Sequence, residues 1–369
     1  MHYHRPEIRP WMHRPSKTLL AMCLCYTLAI VYASLYPLTG WRTTDASVWS
    51  FLFQPWPRYW TGFDIVSNIA AYVPLGALVA LCIWQRFKLA HNIAIATLLC
   101  TALSFFMEIA QHFLPSRVPS WVDTAANFWG ALIGASIAAV CAKRWFESQL
   151  FDTLTSRWLR PKPAAALILL LMWLAIQALP QSALFLGGDL PMGIFGLGFE
   201  QWREHMQSGY LSLPILIGTE VLTVSLTFFV LTTLIIETTT IQAPRLALGV
   251  CLICLALACK VFSATQISQL SRFHWLTTGA QSGLVVGSIF VLIAAGLPQR
   301  VRLRVSVISL LGLIGISNFV PIDSYQVNAA IARQGTVLAS LISFLSNLAF
   351  IWPWLALLYL LSRKLQRRL

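Results

Sequence analysis

The stretch "MEIAQHFLPSRVPSWVDTAANFWGALIG", residues 107–134, joins two apolar runs through a turn that holds Pro115 and Pro119. Glu108, Gln111, His112, Arg117, Asp123 and Asn127 crowd that junction. Glu108, Gln111 and His112 stand at i, i+3 and i+4, so one helix face carries all three. Pro115 ends that helix, and the next opens with Asp123 and Asn127 at i and i+4. Gly130 and Gly134 extend the same stripe, and this small-xxx-small spacing lets a second helix approach closely. A stripe of this kind faces another helix rather than lipid. The whole stretch reads as the end of one membrane helix and the start of the next.

Composition generalises the reading. The chain has 369 residues, of which 57% are hydrophobic and 11% charged, with a mean hydropathy of +0.70. Soluble domains carry about a quarter charged residues, so this is an integral membrane protein. Apolar runs at 17–36, 65–84, 93–113, 122–141, 164–181, 213–236, 245–264, 276–297, 305–320 and 337–361 give ten expected helices. The fold class is all-α, a polytopic helical bundle. The net charge of +13 does not call for a nucleic-acid partner, because the basic residues lie in short clusters between the apolar runs. With both termini in the cytoplasm, 19 of the 26 Lys and Arg residues fall in inside loops, as the positive-inside rule expects. The first run is too long for a signal-peptide core and lacks a small-x-small cleavage site, so it reads as a retained helix. The expected location is a bacterial cytoplasmic membrane, with the bilayer itself as the first partner.

All eight cysteines lie in or beside apolar runs, which implies no disulfide framework. Cys251 and Cys254 sit mid-run without a second ligand pair, so packing is the expected role and no metal is called. The residues 143–163 divide the chain. Phe146, Leu150, Leu154 and Trp158 recur every four positions between basic ends, the pattern of an amphipathic interfacial helix. The expected organisation is a four-helix domain at 1–142, this linker, and a six-helix domain at 164–369. The long loop at 181–214 has a Gly-rich first part and a second part, around Phe199, Trp202 and Met206, that reads as a surface helix.

A third wall for the polar junction comes from "FDIVSNIAAYVPLG" (63–76), with Asp64, Ser67 and Asn68 at i, i+3 and i+4 and Pro74 inside the run. The topology puts Asp64, Asn68, Glu108 to His112, Arg117 and Asp123 to Asn127 at the outer ends of three successive helices. Helices adjacent in sequence usually pack together, so these side chains are expected to converge. Charges at the membrane boundary pair, face water or do chemistry. Three carboxylates cannot all pair with one arginine, which points either to a helix clamp or to a ligand site. In the second half, Glu220 and Lys260 lie at similar depths, so an ion pair between them is expected, with snorkelling of Lys260 as the alternative.

The ordered set Asp64, Asn68, Pro74, Gly76, Glu108, Gln111, Phe113, Pro115, Arg117, Asp123, Asn127, Gly130 and Gly134 resembles the VanZ-like family of bacterial membrane proteins. The resemblance covers about residues 20–142 and implies an envelope protein, since the founding member is linked to reduced susceptibility to teicoplanin. It implies no particular reaction and no cofactor. The resulting expectation is an outward-facing polar cleft that binds or acts on a lipid-linked or glycan component of the envelope. A flippase of an envelope lipid and a non-catalytic scaffold are the alternatives. Glu108, His112 and Asp123 are the candidates for acid–base chemistry; Asp64, Asn68, Gln111, Arg117 and Asn127 are the candidates for binding. Pro74, Gly76, Gly130, Gly134, Glu220 and Lys260 are assigned structural roles. The oligomeric state is not legible in the sequence.

Overall fold

Every expected apolar run contains a helix. A computed structural model describes residues 17–36, 38–44, 47–53, 62–147, 157–161, 163–179, 184–185, 212–267, 272–319 and 336–365. The helices are α1 (Lys17–Leu35), α2 (Gly62–Ile83), α3 (Leu89–Gln111), α4 (Trp121–Glu147), α5 (Ala164–Ile176), α6 (Leu213–Thr238), α7 (Arg245–Phe262), α8 (Thr278–Gly296), α9 (Gln299–Phe319) and α10 (Thr336–Leu365). Among the described residues, nine are long and apolar enough to cross a membrane. The exception is α5, whose 13 residues span only about 20 Å at the α-helical rise, short of a ~30 Å hydrocarbon core. Its expected run to residue 181 stops early because residues 177–179 form turns.

The chain divides into two compact units, Met1–Thr155 and Ser156–Leu369. This boundary falls inside the expected 143–163 linker. Residues 157–161 belong to the second unit, where Leu159 bridges Thr239 and Arg160 N donates to Thr238 O at 2.9 Å. Leu150 and Leu154 of the expected amphipathic pattern lie outside the described residues, as do most of the 181–214 loop and the turn after α9.

In the first unit α2 and α4 form the tightest interface. A Cβ at Gly76 would run into the Ala131 backbone, one at Gly130 into Ile69 O, and one at Gly134 into Val73 O. The absence of side chains at these three positions lets the two backbones touch. Tyr72, Leu75, Cys100, Ala131 and Ile30 fill the core between α1, α2, α3 and α4. Pro74 lies within α2 and offers no N–H to the turn before it. One turn back, the Tyr26 hydroxyl of α1 donates to Ala71 O at 2.9 Å. Outward faces carry Leu24, Leu28, Phe106, Trp129 and Ile137, all exposed, which is the arrangement a lipid surround stabilises.

In the second unit α6 is the central helix, with Thr223 to Thr238 mostly buried. Its hydroxyls turn back onto their own helix, as Thr223 onto Thr219 O at 2.8 Å and Thr233 onto Phe229 O at 3.1 Å. Gly279, Gly283 and Gly287 of α8 sit one turn apart and receive Glu220, Val224 and Phe228 of α6, also one turn apart. Trp352 of α10 donates through Nε1 to Leu169 O of α5 at 2.7 Å.

Candidate functional site

The three walls of the polar junction meet at one end of the first unit. Glu108, on the last turn of α3, is buried to 3% exposure. Its Oε2 accepts the Ser120 N–H at 2.8 Å, and Ser120 Oγ in turn accepts the Val122 N–H at 3.2 Å. Glu108 therefore satisfies a backbone donor at the start of α4, where orphan N–H groups and the helix dipole favour a carboxylate. Four residues deeper, Ser104 Oγ accepts from Asn127 Nδ2 at 2.8 Å, and Ser104 also shares a hydrogen bond with Tyr72. Asn127 Oδ1 is buried with no hydrogen-bond partner among the described residues.

Gln111 and Arg117 turn to α1. Gln111 Nε2 donates to Ser34 O at 2.9 Å, Arg117 Nε to Tyr36 O at 3.1 Å, and Arg117 Nη2 to Ala33 O at 2.9 Å. Ala33 and Ser34 belong to the C-terminal turn of α1 and Tyr36 follows it directly, where the intrahelical donors have run out and a cation is electrostatically welcome. Desolvation draws the Arg117 pKa below its ordinary value, while Glu108 and Asp123 push it back up. His112 is held aside by a 2.9 Å hydrogen bond between its Nε2 and Thr44 Oγ1.

Asp64 and Asp123 stand in the first turns of α2 and α4 and are both partly exposed. Asp64 lies within electrostatic reach of Asp123, which is hydrogen-bonded to the side chain of Asn68. Glu108 also lies within electrostatic reach of Asp123. The junction thus has a half-exposed acidic rim, Asp64 and Asp123 with Asn68, over a buried Glu108. No group of three or more His, Cys, Asp or Glu among the described residues is placed to hold a metal.

Residues 18–142 match the family model VanZ/LLP1. No curated protein and no solved structure matches the chain. The VanZ-like segment coincides with the four helices that carry the acidic rim, and the described helices are those of a multi-pass membrane protein. Within the VanZ-like segment the pattern residues divide by task. Gly76, Gly130 and Gly134 set the α2–α4 distance, Gln111 and Arg117 secure α1, and Asp64, Asn68 and Asp123 line the rim.

Outside the VanZ-like segment, Glu220 and Lys260 do not form the expected pair among the described residues. Thr277 Oγ1 donates to Glu220 Oε2 at 2.5 Å while accepting the Ala280 N–H at 3.0 Å, so Glu220 serves the N-terminus of α8. Lys260, fully buried, donates to Leu179 O at 3.1 Å just past α5. Each charge is satisfied by a helix end, because α6 lays its Glu220 face on α8 rather than on α7. Glu237 does not figure in the sequence reading, yet it is the most heavily paired carboxylate among the described residues: Arg160, Arg302 and Arg363 lie 3.9, 3.5 and 3.1 Å away. Its position at the close of an apolar run, facing arginines at the ends of three other runs, is the available signal.

Proposed function

We propose that the acidic rim of the VanZ-like segment binds a hydroxyl- or amine-bearing envelope component, lipid-linked or glycan, from the outer face of a bacterial cytoplasmic membrane. The carrying observation is that Asp64 and Asp123 are adjacent and partly exposed, while the nearby arginine spends two of its donors on α1 carbonyls. Carboxylates accept hydrogen bonds, so the complementary ligand is one that donates them, as sugars do. Arg117, engaged with α1, is a helix clamp in this reading and not a phosphate holder. Acid–base chemistry on a bound sugar would fall to Asp123, which stands beside Asp64 and near the buried Glu108. An effect on glycopeptide susceptibility would follow from altered envelope composition.

A scaffold role is favoured by one observation, the Gln111 and Arg117 bonds to α1. The two readings apply to different residues. The test is the lipid and glycan profile of a strain lacking the protein. A species that is displaced by the deletion should be restored by the wild-type chain and not by an Asp64→Asn/Asp123→Asn chain present at the same abundance. Restoration by both chains would refute the rim as a site.

A further inference from the structure

Among the described residues, one end of the second unit gathers far more positive than negative charge. Glu237 closes α6 with its side chain fully buried. Arg363 donates to its Oε2 through Nε at 3.2 Å and Nη2 at 3.1 Å, and Gln299 Nε2 donates to Oε1 at 2.6 Å. Arg302 and Arg160 complete the ring at 3.5 and 3.9 Å. Arg245 stands beside them, its Nη2 on Thr239 O at 3.1 Å and its Nε on Thr239 Oγ1 at 3.2 Å, and Arg160 Nε reaches the same carbonyl at 2.8 Å. Arg157 donates to Gln242 Oε1 at 3.1 Å.

Among the described residues of this unit the carboxylates are Glu220 and Glu237. They sit at opposite ends of α6, about 25 Å apart at 1.5 Å per residue. The Glu237 end therefore holds Arg157, Arg160, Arg245, Arg302 and Arg363 against Glu237, without a second carboxylate among the described residues. Arginines scattered to fix membrane orientation need no organising group. Here a buried carboxylate and the Thr239 carbonyl at the end of α6 fix the guanidinium planes, while the side chains of Arg160 and Arg363 remain 26% and 27% exposed. Fixed, partly exposed guanidinium groups with surplus charge recognise tetrahedral oxyanions through paired N–H donors.

We propose that this arginine ring binds a phosphate group, carried either by an anionic lipid headgroup or by a soluble phosphate. The ring's place at the helix ends, in a chain that crosses a membrane, brings it level with lipid headgroups. The site is separate from the acidic rim and does not depend on the reading given for it.

The test uses the purified full-length chain. Native mass spectrometry from mixed phosphatidylglycerol and phosphatidylcholine should show phosphatidylglycerol retained at least about fivefold over phosphatidylcholine, the worth of one arginine at a membrane surface. An Arg160→Gln/Arg363→Gln chain, which removes the two partly exposed guanidinium groups of the ring, should bring the ratio close to one. Should that chain fail to fold, Arg160→Gln alone carries the comparison and should lower the ratio, since Arg302 and Arg363 still hold Glu237. Arg304→Gln, exposed at the same end, should change the ratio little. Thermal protection by inorganic phosphate over chloride at matched ionic strength would assign a soluble source; selective lipid retention without it would assign the headgroup. Equal retention of the two lipids with no protection by phosphate overturns the proposal, as does an equal fall in the Arg304→Gln control.

Discussion

Glu108 shows how much depends on which oxygen is used. Its Oε2 accepts the Ser120 N–H at the start of α4, a bond that a glutamine oxygen can also accept. Glu108→Gln should therefore keep the folded protein, whereas Glu108→Ala should cost about 1–3 kcal/mol by leaving the part-buried Ser120 donor unpaired. Thermal unfolding of the two purified variants checks this; equal losses would show that the charge, and not the acceptor, holds α4. The same residue-scale logic explains Glu220 and Lys260. Their similar depth was legible in the sequence, but depth does not say which neighbour a side chain faces. The helix ends at Thr277 and Leu179 supplied partners that spacing cannot reveal.

At the scale of elements, the Gly130 and Gly134 stripe was legible because four-residue spacing of small residues has one physical use in a membrane helix. The structure adds its partners, Ile69 O and Val73 O of α2. A backbone carbonyl cannot swing aside as a side-chain tip can, so Gly134→Leu should separate α2 from α4 and remove most folded protein from the membrane fraction, an overpacking cost of about 3 kcal/mol or more. Normal abundance and melting of that variant would mean that the two helices do not touch there. The matching stripe Gly279, Gly283 and Gly287 is equally visible in the sequence once α8 is drawn as a helix. What the sequence hid was the task of Gln111 and Arg117. Nothing in the apolar end of α1 announces that Ala33, Ser34 and Tyr36 need donors from residues about 80 positions away.

For the whole molecule, the apolar runs made the helices among the described residues readable, while the pairings at the helix ends were not. Glu237 is the clearest case, since Arg160, Arg302 and Arg363 reach it from 65 to 126 positions away in the chain. In the proposed reading the VanZ-like segment separates holding from binding: Arg117 holds α1, and the Asp64–Asp123 rim takes the ligand. Asparagine at both rim positions removes a like-charge contact and loses two favourable helix-dipole terms, each worth about 0.3–1 kcal/mol, so the effects nearly offset. Arg117→Ala loses two charge-assisted bonds to helix-terminal carbonyls, about 2–4 kcal/mol in all. The most direct measurement is the thermal unfolding midpoint of the full-length chain in detergent, with Asp64→Asn/Asp123→Asn set beside Arg117→Ala. The rim variant should keep a midpoint near wild type, and Arg117→Ala should show a clear drop. A rim variant that falls as far as Arg117→Ala would contradict this division of tasks.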